Sequence, residues 1–274
     1  MSKLLVGLIG AGIQRSLSPA LQEEEARQHG LRLHYQLIDL ADAGVEVLPE
    51  LMRSIRIMKF AGLNITFPCK QAVIPLLDEL SDEARAIGAV NTVVREGDRL
   101  VGYNTDASGW AWGFQRALPK ADLSRVVLLG AGGAGAAVGY AALGLGVSEL
   151  LIVDVEPSRA AALASRLGKK ASPAKDLKSA MASCVGLIHC TPIGMAGHAG
   201  MPLDAAWLRP SMWVSEIVYV PLETELLKAA RRIGCATADG GHMNVGQATR
   251  GFKLFTGRDA DAARMDAHFR RLVA

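Results

Sequence analysis

The 274-residue sequence lacks the features that mark membrane-spanning and nucleic-acid-binding proteins. No stretch reaches the roughly 18 consecutive apolar residues that a transmembrane helix needs. Long basic runs are also missing, and the net charge of +3 is spread along the chain. We therefore expect neither nucleic acid nor an anionic membrane surface as a partner.

Cysteine is scarce, and its spacing matches neither a zinc site nor a disulfide framework. The four cysteines are Cys69, Cys184, Cys190 and Cys235, and no two of them form a CxxC pair. We therefore predict buried free thiols, no bound metal, and a reducing, cytoplasmic location.

Runs of Val, Ile and Leu alternate with Ala- and Leu-rich stretches, a pattern typical of an α/β protein with mostly parallel sheets. The apolar segment MSKLLVGLIGAG is short and broken by glycine, so we interpret it as a buried first strand rather than a signal peptide. In this first series the predicted strands are Val6–Ile9, His34–Leu40, Gly62–Thr66, Thr92–Arg95 and Leu100–Tyr103. The predicted helices of the series are Ala20–Gly30, Val47–Ser54, Ala72–Leu80 and Asp82–Ile87.

A second and fuller series begins near Arg125. Its predicted strands are Val126–Leu129, Leu150–Val153, Gly186–Cys190 and Trp213–Val218. Its predicted helices are Gly135–Leu143, Arg159–Leu167, Val245–Phe255 and Asp259–Leu272. A short series followed by a fuller one predicts two domains.

One glycine-rich segment has the full context of a dinucleotide-binding loop. Gly130, Gly132 and Gly135 fit the pattern GxGxxG between a predicted strand and an Ala-rich helix. In such a loop the glycines allow a tight turn, a close approach to a pyrophosphate and close helix packing. Asp154 ends the next predicted strand, where a carboxylate can accept hydrogen bonds from an adenine ribose.

A second glycine pair lacks part of that context. Gly10 and Gly12 also follow a strand, and Asp39 ends the next one. The third glycine position is occupied by Arg15, however, and the segment SLSP precedes the helix. We therefore expect this loop to present hydroxyl groups rather than a phosphate cradle.

The first hundred residues contain an unusual set of polar side chains next to predicted strands. They are Ser16, Ser18, Asn64, Thr66, Lys70, Asn91, Thr92, Asn104, Thr105 and Asp106. Side chains at strand ends can converge on one site, although each also has a structural explanation. Ser18 is a possible helix cap, Asn91 and Asn104 are possible turn residues, and Lys70 is a possible surface lysine.

The order of these motifs resembles the shikimate/quinate dehydrogenase family. The segments SLSP, NITFPCK, GAVNT, GYNTD and GAGGAG occur in the family's order, and TPIGM, a Tyr-Val-Pro segment with Thr224, and DGGHMNVGQA follow. The resemblance extends over nearly the whole chain. It implies an N-terminal α/β substrate domain over residues 1–103, completed by C-terminal helices over 239–274, and a Rossmann-like NAD-binding domain over 104–238.

The resemblance also implies roles for individual residues. The implied catalytic pair is Lys70 and Asp106. The implied substrate-binding residues are Ser16, Ser18, Thr66, Asn91, Asp106, Tyr219 and Gln247, with the two serines on the substrate carboxylate. The implied cofactor-binding residues are Gly130, Ala131, Gly132, Gly133, Ala134, Asp154, Thr191 and Gly240.

The chain departs from the family pattern around the implied nicotinamide side. His189 and Cys190 replace a frequent Asn-Ala before Thr191, and Glu216 replaces a frequent Asp before Tyr219. Further on, Gly241-His242 and Asn244 replace the more usual Leu-Gly and Leu.

The expected function is hydride transfer between NAD and the ring 3-hydroxyl or 3-keto carbon of shikimate or quinate. Lys70 is predicted to transfer the hydroxyl proton and Asp106 to orient the hydroxyl, with a coupled pair as the alternative. Other possibilities are an NADP-dependent biosynthetic enzyme, an aminoshikimate-type dehydrogenase, and a nucleotide sensor without catalysis. A folate-linked dehydrogenase is disfavoured by SLSP and NTD. The protein is expected to be a monomer or a homodimer.

The residues after the second strand of the nucleotide domain predict NAD rather than NADP as the cofactor. Asp154 and Glu156 supply two acids there, where a carboxylate would repel a 2′-phosphate. Arg159 lies further on, inside the next predicted helix. Because cells generally keep NAD oxidised, an NAD enzyme favours the breakdown of quinate or shikimate over aromatic amino acid biosynthesis.

Overall fold

A computed structural model describes residues 3–273, and these residues divide into two units. The first unit comprises residues 3–105 and 247–272, and the second comprises Asp106–Gly246. Each unit is built around its own sheet. The predicted α/β class with two domains is therefore confirmed.

Within the described residues, the first unit contains a mixed sheet of six strands. The strands are β1 (Lys3–Gly10), β2 (Arg32–Asp39), β3 (Gly62–Ile65), β4 (Glu79–Leu80), β5 (Thr92–Glu96) and β6 (Arg99–Tyr103). They lie in the order β2-β1-β3-β5-β6-β4. Strand β1 is parallel to β2 and β3, whereas β5 is antiparallel to both β3 and β6. The predicted strands Thr92–Arg95 and Leu100–Tyr103 thus form a hairpin.

The helices of the first unit come from both ends of the chain. The N-terminal ones are α1 (Ser18–Gln28), α2 (Leu48–Ile57), α3 (Cys69–Ala72) and α4 (Asp82–Ile87). Apolar side chains such as Ile9, Leu63 and Val93 are completely buried between the sheet and its helices. Burial of apolar surface is the main stabilising term in such a core.

The second unit contains a sheet of six strands, all parallel, in the part of the chain that the structure describes. The strands are β7 (Arg125–Leu129), β8 (Glu149–Val153), β9 (Ala171–Pro173), β10 (Gly186–His189), β11 (Trp213–Glu216) and β12 (Ala236–Ala238). They lie in the order β12-β11-β10-β7-β8-β9. Because both faces of a parallel sheet are covered, its central strands are almost continuously apolar.

Five described helices accompany the second sheet, and two more complete the chain. The five are α5 (Asp106–Ala117), α6 (Gly133–Gly144), α7 (Pro157–Leu167), α8 (Leu177–Ser183) and α9 (Glu225–Ile233). The last two are α10 (Gly240–Thr256) and α11 (Ala262–Val273). None of the described helices is long and apolar enough to cross a membrane. All four cysteines are free and buried, as predicted.

The boundaries between the units follow residues 105 and 246, rather than residues 103 and 238. The second boundary falls inside α10, because the start of α10 packs closely on α5 within the second unit. A Cβ atom on Gly246 would lie 2.6 Å from the carbonyl oxygen of Gly109. A Cβ atom on Gly113 would lie 2.7 Å from the Cβ atom of His242. These glycines let the two helices touch, so residues 240–246 belong to the second unit.

The predicted helix over Ala72–Leu80 is wrong. The chain forms α3, then a 3₁₀ turn at Ile74–Leu76, and then β4, which pairs in parallel with β6. Pro75 explains the break, because proline lacks the N–H group that a continuing helix needs. The sequence patterns also missed α5, α8, α9, β9 and β12.

A buried carboxylate on α1 fixes the start of α11 within the first unit. Glu25 is 1% exposed, and it accepts hydrogen bonds from the Arg264 guanidinium at 2.6 and 2.9 Å and from the Asp261 N–H at 2.8 Å. The His29 ring lies 3.0 Å from the same carboxylate. Burial opposes the charged form, but the bonds from Arg264 and Asp261 outweigh it and lower the pKa of Glu25.

We expect Glu25→Gln to lower the free energy of unfolding at neutral pH by about 1–3 kcal/mol, because charge-assisted hydrogen bonds are lost. The folded-state pKa of Glu25 is below its unfolded value, so this stability is present at neutral pH and is lost as pH falls through the folded pKa. Urea unfolding at neutral pH and at about pH 3 checks both points.

The matched control is Glu24→Gln, one residue earlier on α1. Glu24 pairs with Arg27 at the protein surface, so its replacement is expected to have a much smaller effect at neutral pH. A difference between wild type and Glu25→Gln that persists unchanged in acid would contradict the assignment of a charged, hydrogen-bonded Glu25.

Candidate active site

The carboxyl ends of four neighbouring strands lie at one edge of the second sheet. Leu129 of β7 lies opposite Val153 of β8 and opposite His189 of β10, and His189 lies opposite Glu216 of β11. The segments that follow these strands therefore leave the sheet side by side. In an open parallel sheet, this edge is where ligands bind.

The glycine-rich loop after β7 is closely packed at two positions and open at a third. A Cβ atom on Gly130 would lie 2.7 Å from the Cys190 carbonyl oxygen, and one on Gly135 would lie 2.0 Å from the Gly130 carbonyl oxygen. A Cβ atom on Gly132 would meet nothing within 4 Å. The first and third glycines are thus required for packing, whereas Gly132 leaves room for a ligand. This arrangement fits a pyrophosphate above the N-terminus of α6.

Asp154 closes the loop from the neighbouring strand. Its Oδ2 accepts the Ala131 N–H at 2.7 Å, and its Oδ1 accepts the Glu156 N–H at 2.9 Å. Arg159 is held by Glu156 through bonds of 2.8 and 3.0 Å. The arginine beside this position is therefore already paired with a carboxylate.

The glycine loop of the first unit is closed by its own acid, Asp39. The carboxylate accepts the Gly12 N–H at 2.8 Å, the Ile13 N–H at 3.0 Å and the Gln14 side-chain amide at 3.1 Å. Burial raises the pKa of Asp39, but these bonds, with the Gly12 N–H as the largest contributor, bring it below its ordinary value. Asp39 in the first unit corresponds to Asp154 in the second, for which a ribose contact was predicted. The Asp39 carboxylate instead binds atoms of its own loop.

Polar residues of the first unit gather at the carboxyl ends of β1 and β3. Ile9 lies opposite Ile65, and the Thr66 N–H donates to the Ile9 carbonyl at 2.9 Å. Asn64 of β3 lies opposite Thr92, the first residue of β5. Asn91 therefore comes next to the end of β3, as the polar motifs suggested.

Asn91 is held by a dense hydrogen-bond network. Its side chain is buried, accepts the Thr105 N–H at 2.7 Å and donates to Thr105 Oγ1 at 2.9 Å. Asn64 accepts from the Tyr35 hydroxyl at 2.7 Å and donates to Thr92 Oγ1 at 3.1 Å. Asn64 and Thr105 belong to the polar set found in the sequence, within the motifs NITFPCK and GYNTD, but the family resemblance implied no binding or catalytic role for either.

Lys70 lies on the short helix α3, next to this network along the chain. Its backbone carbonyl accepts the Val90 N–H at 2.8 Å, which fixes α3 beside the residue that precedes Asn91. Lys70 is half-buried. The position of Lys70 is therefore set by the segment that leads through Val90 and Asn91 into β5.

Ser16 and Ser18 lie where the first glycine loop meets α1. Ser16 Oγ accepts the Ser18 N–H at 3.3 Å. The N-cap residue of α1 is Leu17, which makes no side-chain cap bond. A capping role for Ser18 is therefore not observed. Both serines are half-buried.

Gln247 belongs to the first unit through α10. One helical turn further on, a Cβ atom on Gly251 would lie 3.7 Å from the side-chain amide of Asn64. On the same stretch of helix, the Ala248 carbonyl accepts a 2.9 Å bond from the Gln22 side chain. Gln247 therefore lies on a stretch of α10 that packs near the polar end of β3.

Asp106 and Tyr219 belong to the second unit. Asp106 is the first residue of α5 and is 5% exposed. Burial, and then the charge of Asp106, raise the pKa of Tyr219. The Tyr219 hydroxyl therefore stays protonated at physiological pH and can donate a hydrogen bond.

Two buried polar residues at the same sheet edge were recognised from the sequence only as departures from a pattern. His189 Nδ1 lies 2.9 and 3.0 Å from the two carboxylate oxygens of Glu216, and both side chains are 0% exposed. His189 Nε2 lies 2.5 Å from Thr191 Oγ1. In the described range 3–273, no cluster of three or more His, Cys, Asp or Glu side chains is arranged to hold a metal ion.

The predicted site residues are thus divided between the units. The first unit holds Ser16, Ser18, Thr66, Lys70, Asn91 and Gln247, and the second holds Asp106, Tyr219 and the predicted cofactor residues. Within each unit they lie at strand ends or helix starts. Their roles in binding and catalysis stay predictions.

The sequence similarity to known proteins covers nearly the whole length of this chain. Residues 8–93 match the family model described as the shikimate dehydrogenase substrate binding domain. A shikimate dehydrogenase (NADP(+)) from Streptomyces avermitilis is 54% identical, over 98% of this chain and 96% of its own. A quinate/shikimate dehydrogenase (NAD(+)) from Corynebacterium efficiens is 45% identical, over 97% of each chain.

The solved structures agree with this result. The quinate dehydrogenase from Corynebacterium glutamicum in complex with NAD has a TM-score of 0.90 and 42% sequence identity. The match covers 98% of this chain and 99% of that one. Fold, motif order and sequence identity together establish that this chain belongs to the shikimate/quinate dehydrogenase family.

Proposed function

We propose that this protein is a dehydrogenase that transfers a hydride between NAD and the ring 3-hydroxyl or 3-keto carbon of shikimate or quinate. The observation that carries the proposal is the loop Gly130–Gly135, open at Gly132 and closed by Asp154. A dinucleotide fits this loop, and the chain's family acts on shikimate and quinate. When bound, the nicotinamide supplies the hydride acceptor or donor.

The protein's own task is to hold the carboxylate and ring hydroxyls and to move the hydroxyl proton. Lys70 is the proposed proton-transfer group, and Asp106 the proposed orienting group for the reacting hydroxyl. The alternative, a coupled pair that shares the proton, gives the same overall chemistry. Thr66, Asn91 and Gln247 are the proposed partners of the other hydroxyls. Tyr219 is the proposed further hydrogen-bond donor.

The substrate carboxylate is the proposed ligand of Ser16 and Ser18. Hydroxyl groups bind a carboxylate by donation and add no charge of their own, so they discriminate by geometry and hydrogen bonding. The absence of a side-chain cap at Leu17 supports this role, because the start of α1 does not use the Ser18 hydroxyl as its N-cap.

The proposed preference for NAD rests on the residues after β8. Asp154 and Glu156 are both acidic, and Arg159 is paired with Glu156. A 2′-phosphate near Asp154 would meet like charge and no available guanidinium, which disfavours NADP. The NAD(+)-named relative from Corynebacterium efficiens agrees with this proposal. The Streptomyces avermitilis relative, named for NADP(+), favours the biosynthetic alternative.

We expect Lys70→Ala to lower kcat by about 10²–10⁴, because general acid–base catalysis is typically worth that much. Binding of shikimate, measured by calorimetry, should change little. The matched control is Lys253→Ala, which removes a surface lysine paired with Asp259 in the same unit and should leave kcat unchanged. A near wild-type kcat for Lys70→Ala at every pH would show that Lys70 is a surface lysine.

We expect Ser16→Ala with Ser18→Ala to raise KM for shikimate by about tenfold to a hundredfold, because hydrogen bonds to a charged ligand are lost. The rise should be much smaller for an analogue in which a carboxamide replaces the carboxylate. Ser54→Ala, which removes an exposed hydroxyl on α2, is the matched control. Equal losses for both ligands, with a lowered Tm, would indicate damage to α1 instead.

We expect kcat/KM to favour NAD over NADP by about a hundredfold, equivalent to about 2.7 kcal/mol. Asp154→Asn should reduce this ratio, since it removes the repulsive charge. Glu156→Gln should reduce it further, because Arg159 is then released. The ratios are to be measured at saturating shikimate and at saturating quinate. Equal or better use of NADP by the wild type would refute the role of Asp154 and support the biosynthetic enzyme.

A further inference from the structure

A buried glutamine on α1 connects this helix to α10 within the first unit. Gln22 is 1% exposed, and its Nε2 donates a 2.9 Å hydrogen bond to the carbonyl of Ala248. Ala248 directly follows Gln247 in the chain. The bond therefore fixes a backbone atom of α10 beside a proposed partner of the substrate hydroxyls.

The side of α1 that carries Gln22 also carries Ser18. Residues four positions apart on a helix lie one above the other, so the side chains of Ser18 and Gln22 project from one face of α1. This face is turned toward α10, because Gln22 reaches Ala248 from it. Gln22 thus sets the position of Gln247 relative to the helix start that holds Ser18.

Apolar contacts also hold α10 on the first sheet. Phe252 is fully buried, and a Cβ atom on Gly62 of β3 would lie 2.4 Å from the Phe255 ring. Such contacts keep the helix on the sheet, but they are non-directional and permit small shifts along its axis. A hydrogen bond to a backbone carbonyl depends on distance and angle, so it restricts those shifts.

Gln22 is an unfavourable residue for stability alone. In the range 3–273 that the structure describes, no hydrogen-bond donor reaches its buried Oε1 atom. A buried acceptor without a partner lowers stability, whereas an apolar side chain of similar length avoids this penalty. The half of the amide that is bonded is Nε2, which holds α10. The position of α10 therefore explains a glutamine here better than the stability of the core does.

We propose that Gln22 is a positioning residue for substrate binding, which keeps Gln247 at the distance from Ser18 that one substrate molecule requires. The inference rests on the proposed dehydrogenase function, in which Ser18 binds the substrate carboxylate and Gln247 binds a ring hydroxyl. Gln22 acts through Gln247 and needs no contact with the ligand.

Gln22→Met tests this role, because methionine is unbranched, similar in length and forms no comparable hydrogen bond. The change removes the bond to α10 and the unsatisfied Oε1 together, while the Ala248 carbonyl keeps its helical partner. We expect an unchanged or higher Tm. We expect KM for shikimate and quinate to rise about three- to tenfold, the range of one hydrogen bond, with kcat little changed. The dissociation constant of shikimate, measured by calorimetry, should rise by the same factor.

A double-mutant cycle shows whether Gln22 acts through Gln247. Gln247→Ala removes the amide that Gln22 is proposed to position. In that background Gln22→Met should change kcat/KM by less than about twofold, because the effects of coupled residues are not additive. Initial rates at low substrate concentration give kcat/KM even where binding is weak.

Two variants on α1 are the matched controls. Gln28→Met makes the same substitution at an exposed glutamine, whose Nε2 donates to Glu24 at 2.7 Å, and should leave KM and Tm unchanged. Glu25→Gln weakens the bonds from α1 to Arg264, and should lower Tm without raising KM. The controls separate a shift of α10 from a general loss of stability.

Three outcomes overturn the inference and leave the proposed function intact. The first is a wild-type KM in Gln22→Met. The second is a rise in KM that comes with a lowered Tm or that Glu25→Gln reproduces, which would assign Gln22 a purely structural role. The third is independent, multiplicative effects of Gln22→Met and Gln247→Ala. If the wild type neither binds nor turns over shikimate and quinate, the proposed function itself fails, and the role of Gln22 fails with it.

Discussion

An aspartate at the end of the second strand of a parallel pair holds the loop that follows the first strand, and this occurs in both units. Asp39 receives the N–H groups of Gly12 and Ile13, and Asp154 receives that of Ala131. A loop with several unpaired amides has no fixed course of its own, because glycine contributes no side chain to anchor it. What each loop presents at the edge of its sheet therefore depends on this bond.

The two loops differ in how many residues separate the amide bound by the aspartate from the start of the next helix. This difference decides which groups each loop presents. In the second unit α6 begins at Gly133, so its free N–H groups lie directly beside the loop and favour an anion. In the first unit α1 begins only at Ser18, and the intervening residues bring Ser16 into contact with the helix start. One loop is thus suited to a pyrophosphate, and the other to a ligand that accepts bonds from hydroxyl groups.

The sequence predicted most of the sheet because its strands are short apolar runs between turn residues. It missed α5, in which Gly109 and Gly113 interrupt the apolar pattern to admit α10, a reason that only the packing reveals. The signals for α9 were present, since Thr224 caps its start and Gly234 ends it in the left-handed region, but they were overlooked. The hydrogen bonds of Asp39 could not be predicted, because an acid at a strand end looks the same whether it binds a ribose or its own loop.

The pairing of His189 with Glu216 could not be predicted from the sequence, for a different reason. The two residues are 27 positions apart, and they meet only because β10 and β11 are parallel neighbours in a register that puts one opposite the other.

Burying such a pair is costly, and well-packed apolar residues often give equal or greater stability. A purely structural advantage is therefore a weak reason for its presence. What apolar residues cannot supply is direction: a donor and an acceptor at fixed places, tied to Thr191 on one side and to the amides before Tyr219 on the other. The pair is thus better explained by the orientation of its neighbours than by the stability of the sheet.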